Sequence, residues 1–139
     1  MPIPQTIRVN PLDLQKNIAI GVSLPFNGPG VFNSTFTTKD QTKSNLVNLL
    51  LTDIGERVMN PEFGCNLKKF LFEGITESNS ELLANNLANS IAIFIPEITV
   101  TNIEVAPTSN TNISNTINLT ISYYLNISQT PDQITVQFN

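Results

Sequence analysis

A chain of 139 residues is long enough to bury one core without disulfides or metal, so a single domain is the economical reading. With 7 Lys and Arg against 11 Asp and Glu, no histidine and one cysteine, it has no internal disulfide, no histidine-based nucleophile or zinc centre, and no clustered basic face for nucleic acid. Charged residues make up 13% of the chain, about half the usual share, and the Asn, Thr and Ser that replace them give a surface that repels neighbours weakly, as suits a permanently assembled component.

Residues 1–17 hold three prolines and little periodicity, which predicts an extended N-terminal arm ahead of a single domain over residues 18–139. Met-Pro-Ile-Pro lacks the basic start and apolar core of a secretory signal, and no apolar run approaches the roughly 20 residues of a membrane helix. Ile18 to Phe26 and Val31 to Thr37 are β-compatible and flank Asn27-Gly28-Pro29-Gly30, the pattern of a hairpin.

Thr38-Lys39-Asp40-Gln41 fits a capping box. Leu46, Leu49, Leu50 and Ile54 then form the stripe of an amphipathic helix, widened by Val47 and Leu51. Gly55 weakens that helix and Pro61 forbids it. Leu67 to Phe72 is a second, short amphipathic run. Ser78-Asn79-Ser80-Glu81 is another capping box and opens a helix with Leu83, Leu87, Ile91 and Ile95 on one face, stopped by Pro96.

The last third reads as β. Ile98 to Val105 changes its apolar parity, so a bulge is expected near Thr101-Asn102. A polar loop follows from Thr108 to Asn115. Ile117 to Ile127 alternates without interruption, the sign of a half-buried strand. Ile134, Val136 and Phe138 mark a short terminal strand over Gln133–Asn139, placed at a sheet edge. The order predicts an α+β fold: an N-terminal hairpin, then two main helices and a short helix packed on one face of a mostly antiparallel sheet completed by the C-terminal strands.

The only catalytic pattern is a pair of carboxylates drawn from Asp53, Glu56, Glu62 and Glu73, as an acidic cell-wall hydrolase would use; exposed acids near a helix end are the plainer reading. Cys65 reads as a small packing residue. Arg57 offers a rigid fork of donors for helix-terminal carbonyls or for Glu62. Gly55 lets the chain leave the helix or another backbone approach, and Pro61 and Gly64 shape the following turn.

The segment Leu49 to Glu73, with its Gly-Glu-Arg and Asn-Pro-Glu-Phe-Gly, resembles the signature of the lysozyme-like baseplate wedge family of contractile phage tails, which has relatives in type VI secretion systems. Gly55, Glu56, Arg57, Pro61, Phe63 and Gly64 carry the resemblance as a structural motif. It implies a structural protein rather than an enzyme, with no cofactor. The place implied is the tail baseplate of a virion assembled in the host cytoplasm, in multiple copies with six-fold symmetry. The implied partners are the tail sheath protein, the baseplate wedge proteins and the tail tube or hub, with no nucleic acid or membrane. The resemblance leaves a type VI or other contractile injection system as an alternative setting.

Two partner contacts follow from the same resemblance. In relatives a Glu-Pro-Arg core at the end of the third helix contacts the helical bundle of the wedge. Here that stretch reads Ile95-Pro96-Glu97, so only Pro96 matches and Glu97 presents the reverse charge. The terminal strand, through Ile134, Val136 and Phe138, would exchange strands with the sheath and template its first ring. On that expectation Val136→Pro leaves the domain folded and stops sheath growth.

Overall fold

The structure, a computed structural model, describes residues 8–24, 26, 32–73, 76–107 and 116–138. Its first helix, α1 (Thr38–Leu51), is capped by Thr37, one residue ahead of the expected Thr38. The Thr37 hydroxyl accepts from the Asp40 N–H at 3.2 Å and donates to the Asp40 carboxylate at 2.7 Å. Thr38 becomes the first helical residue because Asp13 takes both its N–H and its hydroxyl, each at 2.7 Å. A carboxylate here also meets the positive end of the helix dipole. Asp13 belongs to the segment read as an arm, where Pro11–Leu14 forms a 3-10 turn capped by Asn10.

Helix α1 stops at Leu51, so Ile54 falls beyond it and is half exposed. The Thr52 hydroxyl bonds back to the Asn48 carbonyl at 2.6 Å while its own backbone turns extended. After the short helix α2 (Leu67–Glu73) comes α3 (Glu77–Phe94). Its cap is Thr76, two residues ahead of the expected Ser78, with Leu83, Leu87 and Ile91 buried and Ile95 buried just past its end.

The N-terminal hairpin is shorter than its sequence promises. Among the described residues only Gly21–Val22 (β1) and Ser34–Thr35 (β2) pair, antiparallel, with the Ile20 N–H to Thr35 carbonyl and Ser23 N–H to Asn33 carbonyl bonds flanking them. Ile18, Val22, Phe26, Phe32 and Phe36 are all substantially exposed, so the ribbon has little buried face to extend it. Its expected Asn27–Gly30 turn lies outside the described residues, as does the Thr108–Asn115 loop.

The sheet follows its sequence closely. Strands β3 (Ile98–Pro107), β4 (Ile117–Leu125) and β5 (Pro131–Phe138) form an antiparallel sheet in the order β3-β4-β5. The β3–β4 register shifts between Val100 and Asn102, where the parity change placed a bulge. Ile117, Leu119, Ile121, Tyr123 and Leu125 are buried, and the last four join Leu46, Leu49, Leu50, Leu83, Leu87 and Ile91 in one core. Each such side chain contributes about 1.5–3 kcal/mol by leaving water. The opposite sheet face is polar; Thr120 and Thr135 sit across from each other with their hydroxyls 3.1 Å apart.

One polar cluster ties the sheet to α1. The Asp132 carboxylate, at the start of β5, receives Lys39 at 3.7 Å, Lys43 at 3.4 Å and the Tyr123 hydroxyl at 3.2 Å. Burial, then the charge of Asp132, pushes the Tyr123 hydroxyl up. It therefore stays a donor.

Candidate interaction surfaces

The loop between α1 and α2 is a frame of short bonds. The Gly55 N–H donates to the Pro61 carbonyl at 2.7 Å, closing the loop at its base. The Phe63 N–H reaches the Asn60 carbonyl at 3.2 Å, and the Cys65 N–H reaches the Thr52 carbonyl at 2.9 Å. The Glu56 carboxylate accepts the Asp53 N–H at 3.0 Å, and Lys68 pairs with Asp53 at 2.8 Å.

Both motif glycines have positive φ, +91° at Gly55 and +124° at Gly64, and they do different work. Around Gly55 there is open space, so it only redirects the chain after the helix. A Cβ on Gly64 would run into the Thr52 carbonyl oxygen, so the close backbone approach occurs there. Arg57 corrects its sequence reading. It pairs with neither Glu62 nor a helix end; its guanidinium lies over the Phe63 ring at 3.9 Å, and Phe63 in turn meets Phe94 edge-on at 5.1 Å.

Cys65 is buried, and its Sγ–H donates to the Leu49 carbonyl at 3.2 Å and the Leu50 carbonyl at 3.5 Å. The thiol thus satisfies carbonyls of the last α1 turn, a role its sequence position did not announce. Burial first, and then the nearby Asp53 carboxylate, pushes it from 9.0 up to about 12. The unfolded thiol ionises above about pH 9 while the folded one stays neutral, so stability is full below that pH and drains away as pH rises toward 12. The expected slope from this group is about 1.4 kcal/mol per pH unit over that window. Urea titrations from pH 8 to 12 will show the slope reduced in Cys65→Ala, with the Tyr123 and Lys68 shares remaining.

The acids proposed for a hydrolase are separated by their partners. Asp53 is held by Lys68, Glu56 by the Asp53 amide, and Glu73 lies 3.9 Å from Lys69. A groove of about 410 Å³ between α2 and α3 presents one carboxylate, Glu73, beside Lys69, Asn86 and Asn89.

Pro96 and Glu97 form the exposed turn between α3 and β3. Asn126, from the β4–β5 turn, braces it: its side-chain amide donates to the Pro96 carbonyl at 3.1 Å and its N–H to the Glu97 carbonyl at 3.0 Å. The Glu97 side chain borders a cavity of about 190 Å³ shared with Val9, Asp13 and Ile127.

Strand β5 is an outer strand of its sheet, paired only with β4 among the described residues. Ile134, Val136 and Phe138 point their side chains to the core. What the edge offers is backbone. The Leu125 N–H bonds to the Thr130 carbonyl at 3.3 Å, and the β4–β5 register then runs without a shift. Alternation from that pair turns the N–H and C=O groups of Ile134, Val136 and Phe138 toward β4, and those of Gln133, Thr135 and Gln137 outward. The Gln133 N–H agrees: it bonds to the Asp132 carboxylate at 3.0 Å, not to β4. The open stretch is Thr135 to the strand end.

This fold recurs in a protein named as a tail lysozyme and in chains of two baseplate structures. A protein named as a tail lysozyme from Geobacter sulfurreducens shares the fold at a TM-score of 0.65 and 22% identity, over 73% of this chain and 90% of its own. A chain of the anti-feeding prophage baseplate does so at 0.60 and 23%, over 73% and 78%, and one of the type VI secretion system baseplate complex at 0.55 and 14%, over 70% and 89%. At these identities the likeness is one of fold.

Residues 37–130 match the family of the baseplate wedge protein gp25, and the chain belongs to that family. The baseplate wedge protein gp25 of Enterobacteria phage T4 is 31% identical over 65 residues, which are 47% of this chain and 49% of that protein. The match thus spans about half the length of that relative.

Proposed function

We propose that this protein is a structural component of a contractile phage tail baseplate, present in multiple copies, which anchors to wedge proteins and starts the sheath by accepting or exchanging a strand at β5. The open backbone edge from Thr135 to the strand end carries this reading. Unpaired N–H and C=O groups in register are a template for a strand from another chain.

The other outer strand is blunted. β3 carries the bulge at Val100/Asn102, a charge at Glu104 and a proline, which cannot donate, at its end. β5 runs without a bulge and without a charge from Gln133 to Phe138. The Asp132 cluster fixes its start to α1, so the edge is presented rigidly. Asp53 and Glu73 are paired with lysines, Glu56 accepts the Asp53 amide, and the groove between α2 and α3 presents a single carboxylate, which supports assembly over hydrolysis. Pro96 and Glu97 serve the wedge side in this reading, as an exposed turn held in place by Asn126.

The test is sheath growth from purified baseplate wedge and sheath subunits mixed with this protein and imaged by electron microscopy. Thr135→Pro removes an outward donor and spares the β4 ladder. Sheaths should fail to initiate although the variant's unfolding midpoint stays close to that of the parent. Sheaths of unchanged number and length would overturn strand exchange at β5.

A further inference from the structure

The α1–α2 loop ends in an unusual tip. Val58 is 94% exposed and Met59 96%, the two most exposed large apolar side chains among the described residues. Single exposed apolar residues are ordinary; an adjacent pair at the tip of a braced loop is not. The frame beneath them is closed by the Gly55–Pro61 bond, the Phe63–Asn60 bond and the Cys65–Thr52 bond, with Arg57 laid on Phe63. So much local order holds up two side chains that rest on little of their own chain.

We propose that Val58 and Met59 are a preorganised docking knob that enters an apolar socket with a basic rim on another protein of the assembly. This deepens the baseplate reading and rests on it. Charge argues for the rim. Asp53, Glu56 and Glu62 in and beside the loop outnumber Arg57 and Lys68, and Lys68 is already paired with Asp53, so the loop is acidic on balance. Charge also argues against a second copy. The cation at its own α2–α3 groove, Lys69, already faces Glu73 and offers no free basic rim. Methionine is enriched at interface cores and adapts to an irregular pocket. A rigid frame reduces the ordering cost of docking.

The experiment compares the full-length protein, the double variant Val58→Ser/Met59→Ser and Met59→Leu for binding to purified wedge and sheath subunits. The double variant should unfold at the parent's temperature and bind its partner at least ~10-fold more weakly, while Met59→Leu binds normally. Parent binding should also weaken as salt rises from about 50 to about 500 mM, because a basic rim is screened. If the parent binds and the double variant binds equally well, or if salt has no effect, the knob is wrong and the baseplate reading stands. If the parent binds no subunit at all, both fall together.

Discussion

Gly64→Ala will lower the unfolding free energy by about 3 kcal/mol or more, and Gly55→Ala by only about 1 kcal/mol. At Gly64 two penalties combine. A φ of +124° lies where side-chain-bearing residues are strained, and the new Cβ would meet the Thr52 carbonyl oxygen, a backbone atom already accepting from the Cys65 N–H. Backbone cannot swing aside as a long side chain can. Relief would separate α1 from the segment entering α2 and disturb Cys65, whose thiol caps the end of α1. Gly55 shares the positive φ, but there is room for a Cβ, so only the conformational penalty remains. Urea denaturation of the two variants side by side measures the difference, and equal losses would show that the close approach is not structurally important.

Val136→Pro will destabilise the domain by about 3 kcal/mol, not leave it intact. The edge position alone does not tell which way the peptide groups of β5 point. Val136 lies opposite Leu119, in a pair whose N–H and C=O groups exchange bonds with β4, and its side chain packs against the core. Proline there removes a ladder bond and withdraws an apolar side chain. Thr135→Pro, one residue away, faces outward and should lose less than about 1 kcal/mol. Thermal unfolding of both variants checks the parity directly: equal destabilisation, or a reversed order, would mean that the β4–β5 ladder runs in the other phase.

The parts legible in the sequence are those whose signals are local. The alternation from Ile117 needs only that one sheet face be dry, and every inward position as far as Leu125 is buried; Ile127, read as part of the same strand, falls in the turn beyond β4 and is 45% exposed. The parity change in β3 located its bulge for the same reason, since a slip of one residue sends each later side chain to the other face. The stripe of α3 likewise reports a helix packed on one side, and the wider one of α1 a helix covered on more than one, with Ser44 and Val47 buried beside Leu46, Leu49 and Leu50. The loop motif was visible as a cluster of turn residues, although its inner wiring was not.

Where several residues can play the same part, sequence alone does not choose. Thr37 and Thr38, or Thr76 and Ser78, are all capable caps. The first contest was decided by Asp13, 25 residues away, which occupied Thr38. Arg57 had carboxylates near in sequence, yet Phe63 provided a flat apolar face at contact distance. Nothing local to Asp132 announces its partners; packing brought Lys39, Lys43 and Tyr123 to it. The four-residue turn from Leu125 to Thr130, with Gln129 at a φ of 51°, set the phase of the β5 ladder and so which backbone groups remain open.

Composition and periodicity by themselves determined that this chain makes a weakly charged α+β domain with two core-facing helices and C-terminal antiparallel strands, because burying apolar side chains at period 3.6 or 2 leaves few other arrangements. The tertiary structure alone decided which glycine touches backbone, which arginine contact forms and which edge amides face solvent. Those outcomes depend on distances between residues far apart in the chain, and such distances exist only once the core has closed.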